Sequence, residues 1–198
     1  MGRVRAYVGL GANVGSPAET VAAAVHALAA LPGVRLRAVS RLYGTDPVGV
    51  LDQPEFRNAV VALDVPGGRT ADRGAVALLL ALKDLERAFG RQPRERWGPR
   101  EVDLDLLLFG RHVIDVARPP EGRSGDPAKA SMPLVVPHAE ARNRLFVLAP
   151  LADLAPGLVP PGWGETVATA RDRRVIAEGA DAARPIATWT SDGWAPVS

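Results

Sequence analysis

Two aspartates one residue apart are the clearest pair of chemistry-bearing residues in the sequence. Asp103 and Asp105 fall in segment 101–109, where apolar residues alternate with other types, as is typical of a strand. Side chains two apart on a strand point to the same face, about 6.6 Å from each other, so both carboxylates can share one cation site. Carboxylates suit Mg²⁺, which often takes one or two of them together with substrate phosphates, and paired ions serve phosphoryl chemistry. The spacing predicts a magnesium–phosphate site.

A cluster of arginines leads into this strand. Five of them lie within fourteen residues, with Glu95 as the only acid between the first and the last: Arg87, Arg91, Arg94, Arg96 and Arg100. A solvated surface loop could carry such a run, and the preference for arginine over lysine in the whole chain is consistent with a coding bias. Guanidinium groups grip phosphate oxygens in a bidentate way, however, and these groups adjoin the aspartates. The neighbourhood therefore favours phosphate binding.

A second group has the types needed to hold a flat heterocycle. Phe56 and Asn58 are two apart near the start of a predicted strand, so they share a face, and an amide offers both a donor and an acceptor. Taken alone, Phe56 would be a core residue and Asn58 a strand-edge residue. His138 follows a proline and precedes two arginines, although a lone histidine is more often structural than functional.

The elements that must position these residues follow a β-α-β-β-α-β order. Alternation predicts strands, and a 3.6-residue period with start and stop signals predicts helices. Residues 9–15 are predicted to form a flexible turn, and Ser16 an N-cap. The expected strands are 5–11, 34–43, 56–65, 101–109 and 134–136, and the expected helices are 17–31, 72–89 and 138–151. This order predicts an α+β fold, a ferredoxin-like sandwich whose mainly antiparallel sheet is covered by helices. Residues 1–164 are expected to form the catalytic domain, and 165–198 a tail of unknown role.

Composition narrows the function classes. The 198 residues are 47% hydrophobic, which can build a sizeable core, and the formal net charge of +2 gives no reason to expect a nucleic-acid or membrane partner. No cysteine is present, so disulfides, thiolate metal sites and cysteine nucleophiles are excluded. No apolar run is long enough to span a bilayer, and the first residues lack the shape of a signal peptide. We therefore expect a cytoplasmic enzyme or binding protein.

Two other function classes fit parts of this pattern. An RNA-binding module of similar topology would expose stacking aromatics on its sheet, but aromatic residues make up only 5% of the chain. A two-metal phosphohydrolase would use water as the acceptor, but the sequence has no obvious acid-rich second metal cluster. The Gly9-x-Gly11 spacing is a weak nucleotide signal, and no P-loop is present.

Six ordered segments carry a resemblance to a known family. They are GLGANVG at 9–15, YGTDPVG at 43–49, QPEFRNA at 53–59, GR at 90–91, RWGPREVDLDL at 96–106, and the stretch from PH at 137–138 to RLFV at 144–147. In this order they resemble the 6-hydroxymethyl-7,8-dihydropterin pyrophosphokinase family of folate biosynthesis, over about residues 7–156. The resemblance implies transfer of the β,γ-pyrophosphoryl group of ATP to the hydroxymethyl oxygen of the pterin, with release of AMP.

The resemblance also implies roles for individual residues. Two Mg²⁺ ions would be held by Asp103 and Asp105, which with Arg91 and Arg100 form the implied catalytic set. The implied ATP-binding residues are Arg91, Arg94, Trp97, Arg100, His138 and Arg144. The implied pterin-binding residues are Thr45, Pro47, Val48, Phe56, Asn58 and Phe146, with the two phenylalanines stacking on the ring. ATP and the pterin are the expected partners, and other folate-pathway enzymes are left open as further ones.

Three departures from the family pattern bear on the ATP side. The loop after Arg91 is one residue shorter than the family form, which makes Arg94 its candidate second arginine. Pro133 stands where an ATP-contacting arginine can occur, and Arg118 or Arg123 could substitute for it. An alanine follows His138 where some members carry an aromatic residue.

Overall fold

An antiparallel sheet with helices on both faces positions the predicted site. The computed structural model describes residues 2–47, 52–91, 98–123 and 132–197. Over these residues the strands are β1 (Arg3–Ala12), β2 (Arg35–Val39), β3 (Leu42–Thr45), β4 (Phe56–Pro66), β5 (Asp103–Phe109), β6 (Ile114–Val116), β7 (Leu134–Val136), β8 (Arg184–Thr190) and β9 (Gly193–Pro196). The helices are α1 (Pro17–Ala30), α2 (Ala71–Ala88), α3 (Leu145–Leu154) and α4 (Val167–Glu178).

The main sheet has the strand order β5-β1-β4-β3-β8-β9, and β2 also pairs with β4. Neighbouring strands are antiparallel throughout this order. Strands β6 and β7 form a separate antiparallel pair. The predicted α+β class with a mainly antiparallel sheet and covering helices is therefore confirmed.

The predicted turn at 9–15 is only partly correct, because β1 continues to Ala12 and the chain turns only afterwards, with Gly15 at a φ of +65°. Gly9 and Gly11 lie inside β1, where they pair with Asp105 and Asp103 of β5. Their neighbours on β4 are Val60 and Asn58. Strand pairing on both sides holds these glycines extended, so they provide space over the sheet rather than flexibility.

The second predicted strand, 34–43, is in fact two strands. Strand β2 pairs with the later half of β4 and β3 with its first half, and the break falls at Ser40 and Arg41. At the break, the Ser40 hydroxyl accepts the hydrogen bond of the Val60 backbone N–H at 2.9 Å, while the Ser40 N–H donates to the Val60 carbonyl. A side chain thus replaces one backbone partner, which lets the chain bend without losing the ladder.

Helices cover both faces of the sheet because both faces are apolar along its centre. On one face, α1 and α2 bury residues such as Leu28 and Leu82 against β1, β4 and β5. On the other face, α3 and α4 pack around Leu107 and Leu148. The second face is covered over only part of its area, and the polar residues of interest lie beside α3 on that face.

Capping residues mark both ends of α2 and the start of α1. The hydroxyl of Thr70 accepts a hydrogen bond from the Arg73 N–H at the start of α2, and Gly90 follows the end of that helix with a φ of +78°, where glycine is favoured. Ser16 is the N-cap residue of α1 as predicted, but its side chain makes no capping hydrogen bond. Its carbonyl instead accepts from Thr20 as the first turn of the helix closes.

The segment after residue 164 forms α4 and the β8–β9 hairpin. Strand β8 pairs with β3, which places this segment in the main sheet. The division of the chain at residue 164 stays a prediction. Among the described residues, no helix combines the length and apolar character needed to cross a membrane.

Candidate active site

A cleft opens on the α3 side of the sheet, where β1, β4 and β5 meet the start of α3. Its floor contains Gly9 and Gly11, whose missing side chains leave room above the sheet. The predicted site residues that line it are Thr45, Phe56, Asn58, Arg100, Asp103, Asp105, His138, Arg144 and Phe146. Residues far apart in the chain thus meet in one place, as the sequence analysis expects. Val48, Arg94 and Trp97 lie outside the described residues, and the described Pro47 and Arg91 are absent from the lining.

One end of the cleft has the character of a heterocycle site. Asn58 and Thr45 are both buried, and the Asn58 Nδ2 donates to Thr45 Oγ1 at 2.7 Å. Phe56 and Phe146 come from β4 and α3 and border the same space. A side chain at position 11 would crowd the amide, since a Cβ there would lie 2.9 Å from Asn58 Oδ1. Gly11 is therefore required for the Asn58 amide to sit where it does.

The other end is charged. Arg91 Nη1 donates to Asp103 Oδ1 at 2.6 Å, and Arg100 Nη1 donates to Asp103 Oδ2. Burial by itself would raise the pKa of the Asp103 carboxyl, but Arg100 and Arg91 outweigh burial and hold this pKa well below its usual range. Asp103 is therefore a carboxylate at any pH at which the protein is expected to work.

A buried ion-pair network that the sequence motifs do not indicate lies next to Arg91. Glu86 is 3% exposed and accepts hydrogen bonds from Lys83 Nζ and from the Leu104 N–H, each at 2.8 Å. Arg91 also pairs with Glu86, so its guanidinium bridges two carboxylates. The sequence does contain a signal for this network. Glu86 occupies a buried position in the apolar stripe of α2, and a buried acid needs charged or hydrogen-bonding partners.

Asn13 is the second functional candidate that the sequence analysis missed. It is 1% exposed, and its Nδ2 donates to Gln53 Oε1 and to the Pro54 carbonyl, both at 3.0 Å. Its Oδ1 accepts from the Arg100 N–H at 2.7 Å. One side chain therefore connects the segment before Phe56 to the segment that carries Arg100. The sequence suggests only a turn here, since the partners lie 40 or more residues away.

His138 and Arg144 flank the cleft from the segment between β7 and α3. The His138 N–H donates to the Leu107 carbonyl at 2.9 Å, which fixes it beside β5. Arg144 precedes α3, and its guanidinium carbon lies 5.7 Å from the centroid of the Phe146 ring. Both residues line the same cleft as Asp103 and Asp105.

Arg118 is better placed than Arg123 to serve the charged end. Arg118 is half-buried, while Arg123 is exposed. Burial lowers the pKa of Arg118, opposed by the nearby carboxylates of Asp105 and Glu86, which shows that its guanidinium lies within their field. Of the two alternatives for the arginine missing at Pro133, the geometry favours Arg118.

The donor set can be compared with the needs of Mg²⁺. Asp103 and Asp105 line the cleft from the same face of β5, with oxygen ligands of the kind that this ion prefers. In 2–47, 52–91, 98–123 and 132–197, no group of three or more histidines and acids forms a complete metal site. Two carboxylates suit an ion that takes its remaining ligands from phosphates and water, so the residues present fit magnesium.

Comparison with known proteins bears on the family to which the chain belongs. Residues 7–156 match the family described as 7,8-dihydro-6-hydroxymethylpterin-pyrophosphokinase (HPPK). A 2-amino-4-hydroxy-6-hydroxymethyldihydropteridine pyrophosphokinase from Pseudomonas aeruginosa is 45% identical over 157 residues, which are 79% of this chain and 84% of the relative. A protein of the same name from Methylorubrum extorquens is 42% identical over 164 residues, which are 82% of this chain and 89% of the relative.

Solved structures extend the comparison to the fold. The wild-type HPPK-DHPS of Plasmodium falciparum with pteroate has a TM-score of 0.70 at 14% identity, covering 98% of this chain and 48% of that one. An HPPK-DHPS in complex with substrates has a TM-score of 0.71 at 12% identity, covering 100% of this chain and 48% of the other. The chain thus spans about half the length of these solved proteins, and the likeness concerns the fold alone. On the match over residues 7–156 and the identity to these relatives, the chain belongs to the 7,8-dihydro-6-hydroxymethylpterin-pyrophosphokinase family.

Proposed function

We propose that this chain transfers the pyrophosphoryl group of ATP to 6-hydroxymethyl-7,8-dihydropterin, giving AMP and the pterin diphosphate, in folate biosynthesis. The observation that carries the proposal is that one cleft holds a heterocycle-binding end beside a charged end. Asn58 and Phe56 mark the first end, and Asp103 and Asp105 mark the second. An enzyme that joins a pterin to a phosphate chain needs both ends next to each other.

The pterin is assigned to the end formed by Thr45, Phe56, Asn58 and Phe146. Two aromatic rings from different elements can stack on a flat ring, and the Asn58 amide can read its hydrogen-bonding edge. Because Asn58 is already bonded to Thr45, its orientation is set before the substrate arrives. A fixed amide loses little entropy on binding and rejects rings with the wrong donor pattern.

ATP is assigned to the end that carries Arg91, Arg100, His138 and Arg144, with Arg118 as the substitute for the arginine missing at Pro133. Each guanidinium has five N–H donors, so Arg91 and Arg100 can hold Asp103 and still donate to phosphate oxygens. The low pKa of Asp103 keeps its charge, so the arginines and the carboxylate form an ordered array for a polyanion. Arg94 and Trp97 belong to this proposal by resemblance.

Magnesium would be held by Asp103 and Asp105, where it would neutralise phosphate charge and draw the acceptor hydroxyl toward the phosphate. The chain's own residues supply the positioning. Asn58 and the phenylalanines orient the pterin so that its hydroxymethyl oxygen faces the β-phosphorus of ATP. Arg91, braced by Glu86, and Arg100, braced by Asn13, hold the phosphate chain in line.

The reaction balances without covalent enzyme chemistry. The hydroxymethyl oxygen forms a bond to the β-phosphorus, and the bond from that phosphorus to the α,β-bridging oxygen breaks, releasing AMP. The hydroxyl proton leaves to water. Catalysis then rests on positioning and charge stabilisation, which is what an array of fixed arginines and carboxylates provides. A cytoplasmic location and an association with other folate-pathway enzymes also stay predictions.

Analysis of nucleotide products tests the function. The protein is incubated with ATP and 6-hydroxymethyl-7,8-dihydropterin, with magnesium or with excess chelator, and with the pterin left out in a parallel sample. We expect AMP and pterin diphosphate in equal amounts, and only when pterin and magnesium are both present. Formation of ADP and phosphate without pterin would instead indicate a phosphohydrolase and contradict the proposal.

A further inference from the structure

The C-terminal hairpin borders the pterin end of the cleft, although it lies beyond the segment that matches the family. Strand β8 begins at Arg184, and the match ends at residue 156. Arg184 pairs with Gly44 of β3, and the next residue of β3 is Thr45, which lines the cleft. The hairpin is therefore a direct neighbour of the strand that leads into the pterin-binding residues.

The Arg184 side chain links the two ends of the connection between β3 and β4. Its Nη2 donates to Asp46 Oδ1 at 3.2 Å and also to Glu55 Oε1. Its Nη1 donates to the Asp181 carbonyl at 2.7 Å, which anchors the guanidinium in its own segment. Asp46 directly follows Thr45, and Glu55 directly precedes Phe56. One planar group thus joins the residues adjacent to two cleft-lining side chains.

The packing around Glu55 shows that this contact is closely fitted. A Cβ at position 44 would lie 2.9 Å from Glu55 Oε1, so the carboxylate lies directly over a glycine. Arg57 binds the other oxygen of Glu55. Although burial raises the pKa of Glu55, Arg57 and Arg184 outweigh it and lower this pKa, so the group is ionised at neutral pH. The carboxylate has a defined position between two arginines.

The ion-pair cluster of Arg184, Asp46 and Glu55 contributes little to global stability, because its side chains are partly exposed. The side chains of Arg184 and Asp46 are 38% and 75% exposed, and ion pairs of that kind contribute about 0–1 kcal/mol. The effect of the cluster is local instead. The planar guanidinium of Arg184 has several donors, so it fixes the orientation of its partners as well as their distance. The residues that Arg184 orients are Asp46 and Glu55, which adjoin the cleft-lining Thr45 and Phe56.

We infer that Arg184 is a positioning residue for the pterin: by holding Asp46 and Glu55 together, it sets the placement of Thr45 and Phe56. The inference rests on the proposed function, and it gives the C-terminal hairpin a role in recognition of the acceptor substrate. In the proposed function ATP binds at the opposite end of the cleft, so loss of Arg184 should affect binding of the pterin and not of ATP.

The test compares Arg184→Met with Arg171→Met in the full chain. Arg171 forms an exposed ion pair with Asp172 on α4, so its loss is a matched control for removal of a surface arginine. We expect Arg184→Met to raise the KM for the pterin by roughly threefold to tenfold, the scale of one modest polar contact. The KM for ATP and the thermal midpoint should stay close to those of Arg171→Met. Arg184→Lys, which keeps the charge but lacks the fork, should lie between.

Equilibrium binding of the pterin, measured by its fluorescence without turnover, separates this inference from the proposed function. If the unaltered chain binds no pterin, the proposed function fails. If it binds the pterin and Arg184→Met binds equally well, only the role of Arg184 is refuted. Equal rises in both KM values with a lower thermal midpoint would also overturn the inference, since they would indicate a general structural role.

Discussion

Replacement of Gly11 by alanine tests whether the floor of the cleft controls the Asn58 amide. The new Cβ would lie 2.9 Å from Asn58 Oδ1, the one heavy atom found within 4 Å among the described residues outside its chain neighbours. Ordinary contacts begin near 3.4 Å, so the amide must move by about half an ångström. The backbones cannot separate to absorb this movement, because β1 and β4 are paired along the whole of β1.

The magnitude follows from two opposing contributions. Displacing the amide threatens its buried 2.7 Å hydrogen bond to Thr45, and an unmet buried polar group costs about 1–3 kcal/mol. Alanine is favoured over glycine inside a strand by roughly 0.5–1 kcal/mol. The first contribution is the larger, so Gly11→Ala should lower the free energy of unfolding by up to about 2.5 kcal/mol. Loss of the same 1–3 kcal/mol from pterin binding would raise its KM by about 5-fold to 150-fold.

A double-mutant cycle with Asn58→Ala isolates the contact. Urea unfolding and steady-state kinetics are measured for the unaltered chain, both single variants and the double variant. In the Asn58→Ala background the clash is gone, so the same alanine at position 11 should stabilise the protein by roughly 0.5–1 kcal/mol. The KM for ATP should stay within about twofold throughout, because the affected amide lies at the pterin end.

The sign of the stability change is the decisive result. If Gly11→Ala stabilises the protein equally with and without the Asn58 amide, the glycine does not hold that amide in place. If the KM for ATP rises as much as the KM for the pterin, the division of the cleft into two ends is wrong.

Three further outcomes are expected from other parts of the structure. Asp103→Ala and Asp105→Ala should each abolish pterin-dependent AMP formation while the near-ultraviolet circular dichroism stays native, and wild-type-like turnover in either would contradict the metal assignment. Asn13→Ala should lower the free energy of unfolding by about 2–4 kcal/mol in urea, since it removes three partly buried hydrogen bonds of a buried side chain and leaves the Arg100 N–H without that partner. Glu55 has a lowered pKa, so its stabilising effect is present above the ordinary value of 4.5 and lost as the pH falls. Glu55→Gln should therefore flatten the dependence of unfolding free energy on pH below about 4.5, and an unchanged slope would refute this.

Local periodicity is what made much of the cleft predictable. A strand places every second side chain on one face, so the pairing of Asp103 with Asp105 and of Phe56 with Asn58 follows from spacing alone. The structure brings all four to the same cleft. Their roles in binding ATP, pterin or metal stay predictions that the experiments above address.

Long-range partners are what the sequence could not reveal. Asn13 looks like a turn residue, but its side-chain partners lie 40 to 87 positions away. The break at Ser40 is hidden for a similar reason, because a hydroxyl takes over a ladder bond to a strand twenty residues later. Nothing in the period of a segment indicates which distant backbone group it will meet.

The C-terminal segment escaped detailed prediction for another physical reason. Strands β8 and β9 are half-exposed along most of their length, so they lack the clean alternation of a strand with one buried face. They pair with the edge of β3 and are joined by an edge-to-face contact of Trp189 with Trp194, with ring centroids 4.8 Å apart. The conformation of such strands depends more on the surface against which they pack than on their own sequence pattern.

The pairing of β8 with β3 also bears on solubility. The four residues of β3 are buried. Without β8, their N–H and C=O groups on that side would be unpaired, and the strand edge would be open to pairing with strands of other chains. The hairpin moves the open edge to β9, a four-residue strand that ends at Pro196 and offers little template for further pairing. A chain cut before Arg184 should therefore self-associate, so the hairpin also acts as a guard against aggregation.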